Sequence, residues 1–62
     1  MISKGSLVRT RTHLPNMPPG TVCLVVTGPY THRDKTLANP LIDILFEGDP
    51  RMIDIHNVEE VQ

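Results

Sequence analysis

The residues best suited to chemistry in this chain fall in one short segment, Tyr30-Thr-His-Arg-Asp-Lys35. An aromatic ring, an imidazole and two cations placed this closely could stack on a base, neutralise a phosphate or grip an acidic surface. Arg9 and Arg11 are two residues apart, and so share one face of any strand that carries them. The candidate partner-binding set is therefore Arg9, Arg11, Tyr30, His32, Arg33 and Lys35.

Other reactive types lack the company that chemistry needs. His13, His32 and His56 match no zinc spacing, and the single Cys23 gives no Cys-x-x-Cys pair. Cys23 lies in an apolar run, where a thiol serves as a small hydrophobe. Asp43, Glu47 and Asp54 alternate with apolar residues, which makes them the solvated face of a hairpin before they are a metal or acid–base cluster. The four glycines, Gly5, Gly20, Gly28 and Gly48, are scattered at turns and form no phosphate-binding loop. The sequence thus implies no catalytic residue, no cofactor and no metal.

Charge is divided along the chain. Residues 1–35 hold Lys4, Arg9, Arg11, Arg33 and Lys35 against Asp34. Residues 36–62 hold Arg51 against Asp43, Glu47, Asp49, Asp54, Glu59 and Glu60. An isoelectric point near 6.2 favours a protein partner over nucleic acid, whose binders are usually strongly basic. Nucleic acid remains the second partner class, through the basic half. No stretch approaches the ~20 apolar residues of a membrane span, and Met1-Ile-Ser-Lys-Gly-Ser lacks the apolar core of a signal peptide. One cysteine allows no internal disulfide, which fits a reducing cytoplasm.

The elements that must position these residues read as short strands. Sixty-two residues make one domain, 1–62, with a thin margin of stability. In Gly5–Thr12, Leu7, Arg9 and Arg11 share one face and Val8, Thr10 and Thr12 the other; the arginines seek water, so Val8 points inward. His13–Gly20 holds three prolines and reads as an ordered loop, with Leu14 or Met17 folded back as a lid. Thr21–Thr27 is almost continuously apolar; Val22, Leu24 and Val26 are expected on the core face and Val25 on the opposite one. Gly28–Pro40 is expected to be a long connection, with Tyr30 to Lys35 exposed as the main contact segment. Leu41–Glu47 and Arg51–His56 form a hairpin turning at Gly48-Asp49-Pro50, with Ile42, Ile44, Phe46, Ile53 and Ile55 inward. Asn57–Val61 would supply a helical turn and a stub of final strand, with Val58 and Val61 sharing one side.

Taken in order, Gly5-x-Leu-Val, Pro19-Gly-Thr-Val22, Ile42-Asp-Ile-Leu-Phe-x-Gly48 and Val58-Glu-Glu-Val61 resemble the small SH3-like β-barrels. They are similar in plan to KOW-type modules and look in particular like the short SH3-like proteins of tailed bacteriophages, cyanophages included. Phe46 stands where many relatives carry Trp, and the aromatic groove that grips proline-rich peptides is missing. The resemblance implies an all-β fold: a five-stranded SH3-like barrel with a short helical turn before the last strand. It also implies a non-catalytic interaction module, a phage accessory protein in the host cytoplasm that binds a host or phage protein. The alternatives are a KOW-like nucleic-acid or transcription-complex binder and a minor virion or capsid decoration protein. Because Val25 and Leu45 are expected opposite the core with little to cover them, a homo-oligomer is a further expectation.

Overall fold

The computed structural model describes residues 1–33 and 38–61; Lys35 and the rest of 34–37 lie outside the described residues. The chain forms β1 (Leu7–Thr10), β2 (Val22–Tyr30), β3 (Leu41–Phe46), β4 (Asp49–Asp54), a 3-10 turn (Ile55–Asn57) and β5 (Val58–Glu60). All pairings are antiparallel, in the spatial order β4-β3-β2-β1-β5. The fold is thus all-β: a small five-stranded SH3-like barrel, built from one open sheet whose edges are β4 and β5.

One side of the sheet encloses an aliphatic core of Val8, Cys23, Val25, Ile42, Ile44, Ile53 and Val58, with Met17 from the proline-rich loop. Each fully buried Val or Ile is worth roughly 1.5–3 kcal/mol relative to exposure. Leu14 and Phe46 are half-buried against this core, so the loop from His13 to Gly20 does lay a lid on the barrel. Leu14 and Met17 exchange backbone hydrogen bonds of 3.1 and 3.0 Å, which holds the lid as a tight turn. Thr10 is the polar member of the interior. Its hydroxyl donates to the Pro18 carbonyl and accepts from the Thr21 N–H, both at 3.0 Å, so this buried group is paired.

Four expectations are corrected. The core face of β2 carries Cys23 and Val25, while Val22 and Leu24 stand outside, half-exposed. The register explains it: inward Val8 pairs with Cys23, and inward Ile44 with Val25. A run with no polar residue offered no way to tell its two faces apart.

The hairpin turns at Glu47-Gly48, earlier than expected, with Phe46 opposite Asp49. Both turn residues have positive φ, 51° and 82°, the geometry whose twist matches that of paired strands. Pro50 belongs to β4. In a two-residue hairpin the closing pair, Phe46–Asp49, is the hydrogen-bonded one, so the next residue points its backbone outward. The missing N–H of Pro50 therefore costs no bond at this edge strand.

The connection after β2 is shorter than expected, because β2 runs on to Tyr30, which pairs with Leu41. Register shifts between Val25 and Tyr30 absorb the Gly-Pro pair. Gly28 has φ +108°, and a Cβ there would lie 2.8 Å from the Leu41 carbonyl oxygen, so this crossing needs glycine. Finally, the helical turn comes at Ile55–Asn57, not after it, and takes half-buried Ile55 out of the strand. Asp54 caps the turn: its Oδ1 accepts the His56 N–H at 2.8 Å.

Candidate functional site

Among the described residues, the partner-binding set expected from sequence does not form one cluster. Arg9 sits on β1, half-exposed, opposite Glu59 of β5, with Nη1 3.5 Å from the Glu59 carboxylate. Arg11 follows β1, exposed, its N–H donating to the Asn57 carbonyl at 2.8 Å. Tyr30 ends β2, while Arg9 faces Val22 at that strand's start. Tyr30 is also not the free ring expected: it is half-buried, and its hydroxyl donates to Asp43 Oδ1 at 2.6 Å. The bond forms because Tyr30 and Asp43 sit on adjacent antiparallel strands near the bulged crossing. That hydrogen bond, then burial, then the carboxylate's charge push the phenol up to about 12. His32 is half-buried and Arg33 exposed.

Asp54, His56 and Cys23 have structural duties. Asp54 takes the Asn39 amide on Oδ2 at 2.9 Å as well as the His56 N–H, and these two bonds hold its carboxyl below the ordinary range. His56 Nδ1 lies 3.4 Å from the same Asp54 carboxylate. Cys23 is in the core, where burial pushes its thiol up and away from the reactive thiolate.

A cleft of about 250 Å³ opens between the lid and β4, lined by Leu14, Pro15, Met17, Arg51, Met52 and Ile53. Arg51 spans it: Nη1 donates to the Pro15 carbonyl at 3.4 Å, and the guanidinium lies 5.2 Å from the centre of the Phe46 ring. This residue fastens the lid to the hairpin.

The apolar second face expected at Val25 and Leu45 lies on the outer side of the sheet, but Leu24 belongs to it and Val25 is buried in the core. Leu7 pairs with Leu24, Leu24 with Leu45, and Leu45 with Pro50, so four apolar residues form one row across β1, β2, β3 and β4. Leu7, Leu24 and Leu45 are 48%, 40% and 40% exposed. Val22 and Met52, about half exposed, extend the face on the rows above and below. At about 4.8 Å between strands the row spans roughly 14 Å. No charge lies on the row itself; Arg9 flanks it on one side and Asp43 on the other. The signal was present in part, since Leu7 shares the wet face with Arg9. The misassigned face of β2 hid Leu24, the residue that joins Leu7 to Leu45.

No protein family, curated protein or solved structure matches the chain.

Proposed function

We propose that this protein is a non-catalytic interaction module that binds another protein through the outer face of its sheet. The observation that carries this reading is the uncharged row Leu7–Leu24–Leu45–Pro50, in register on four adjacent strands and open to water. The largest contiguous apolar patch on a small soluble domain is often a functional surface. The exposed Arg11 and Arg33 then steer the encounter, and Arg9 with Glu59 forms part of the polar rim. Its likeness in sequence plan to the small SH3-like proteins of tailed phages supports a phage accessory protein acting in the host cytoplasm, with a host or phage protein as partner.

The test is a tagged pull-down from infected or expressing cells, with the wild type and Leu24→Asp side by side. The reading expects a protein captured by the wild type and lost with the variant, while both stay folded by circular dichroism. A salt-dependent shift on an oligonucleotide, equal for both chains, would instead make the protein a nucleic-acid binder. Recovery of the protein in purified particles would identify its partner as a virion component.

A further inference from the structure

We infer that the edge strand β4 accepts an added antiparallel strand from a partner, an extended peptide with an apolar residue and, two positions later, a carboxylate. This site goes beyond the outer row of the sheet. It is built from the free edge of β4 and the cleft on its inner side.

Three observations select this occupant. The first is unpaired backbone. β4 ends the sheet, and Phe46–Asp49 closes its hairpin as a hydrogen-bonded pair. Bonded pairs alternate along an antiparallel ladder, so Asp49, Arg51 and Ile53 turn their backbone groups toward β3. Pro50, Met52 and Asp54 turn theirs outward. Among the described residues, no loop or turn bonds the N–H or C=O of Met52. An edge of this kind takes an extended chain through main-chain hydrogen bonds.

The second is the cleft of about 250 Å³ between the lid and β4. Met52 lines it although its side chain stands on the outer face, so the cleft reaches the edge of the sheet. In an antiparallel chain bonded to Met52, the preceding residue lies opposite Ile53 and the following one opposite Arg51. Both turn their side chains to the cleft side. Leu14, Pro15, Met17 and Ile53 make the first of these positions apolar.

The third is charge. Arg51 is half-buried, and its partners, the Pro15 carbonyl and the Phe46 ring, are uncharged. Among the described residues it forms no ion pair. A carboxylate opposite it compensates the cation where the surroundings are mostly apolar, and the charged bond is stronger there than in open water. A second copy of this chain does not meet these terms. Docked with Met52 opposite Met52, it would set its own Ile53 opposite Arg51 and bring no carboxylate.

The test titrates an acetylated, amidated peptide, Thr-Leu-Val-Glu-Thr, into the isotope-labelled full chain and follows its amides by NMR. The amides of Leu14, Arg51, Met52 and Ile53 should shift, with a Kd on the order of 0.1–1 mM, and exchange at the Met52 amide should slow. Replacing the peptide's Glu by Gln should weaken binding about tenfold. Methylating its Val nitrogen, which removes the donor to the Met52 carbonyl, should abolish binding. Both changes are made in the peptide, so the fold of the protein is untouched. On the protein side, Arg51→Glu should reverse the preference toward Thr-Leu-Val-Lys-Thr. No shift at millimolar peptide overturns the inference, and so do shifts confined to other surfaces. Equal binding of the Glu and Gln peptides, or tolerance of the methylated nitrogen, overturns it as well. Hexanoate bound in the cleft as tightly as the peptide would make this a small-molecule site and overturn the added strand.

Discussion

The phenolic hydroxyl of Tyr30 donates a 2.6 Å hydrogen bond to Asp43, and so ties the end of β2 to the middle of β3. The chain has one tyrosine and no tryptophan, so ultraviolet absorbance near 295 nm follows this phenol alone. Its midpoint should lie near 12. In Asp43→Asn the carboxylate's charge is gone and the midpoint should fall. The sign for stability follows by linkage. The folded value is raised above that of the unfolded chain, so the contribution is complete below about pH 10 and is lost as pH climbs through the folded value. A wild-type midpoint at about 10 would show that the bond does not persist in solution.

Ile44 lies at the centre of the core, with no measurable exposure. Ile44→Ala removes buried surface and leaves a cavity, at a cost of about 2–5 kcal/mol. A core this small supplies about 3–5 kcal/mol in all. The variant should be largely unfolded at room temperature; urea titration with a wild-type midpoint would refute the assignment.

Gly28→Ala should destabilise by more than about 1 kcal/mol, because alanine is strained at positive φ and its Cβ would press on the Leu41 carbonyl. Gly48 has a similar φ of +82° with open space around its missing Cβ. Gly48→Ala therefore carries the backbone strain without the clash. A larger loss of melting temperature at Gly28 than at Gly48 is the expected order.

Thr10→Val keeps the shape of the side chain and removes its hydroxyl. The Thr21 N–H loses its partner, while the Pro18 carbonyl keeps the Thr21 hydroxyl at 2.6 Å. The cost should be about 1–3 kcal/mol, and hydrogen exchange at the Thr21 amide should accelerate more than at Val8. Equal acceleration at both would mean a global loss of stability without local opening.

Legibility in the sequence followed polarity. Where charged and apolar residues alternate, as at Val8 beside Arg9 or Ile44 beside Asp43, the inward residue was readable, and burial agrees. Where they do not, as from Val22 to Val26, parity is set by the neighbours' register, and the face was misread. The hairpin turn was misplaced because proline and aspartate draw attention to themselves, whereas Glu47 gives no sign of the positive φ it adopts. The basic candidates were chosen by residue type alone. Composition could not show that Tyr30 has a carboxylate partner one strand away, or that Arg9 faces Glu59.

The proposed contact is made by the outer row of the sheet and not by the basic segment after β2. Partner capture by Leu24→Asp and by Arg33→Ala, measured together against the wild type, separates the two. Both positions are exposed enough for the fold to survive, and Arg33→Ala should change stability by less than about 0.5 kcal/mol. Leu24→Asp should abolish capture and Arg33→Ala should keep it, with at most a slower on-rate at low salt, if the outer row is the contact. Capture that survives Leu24→Asp and fails with Arg33→Ala would contradict it.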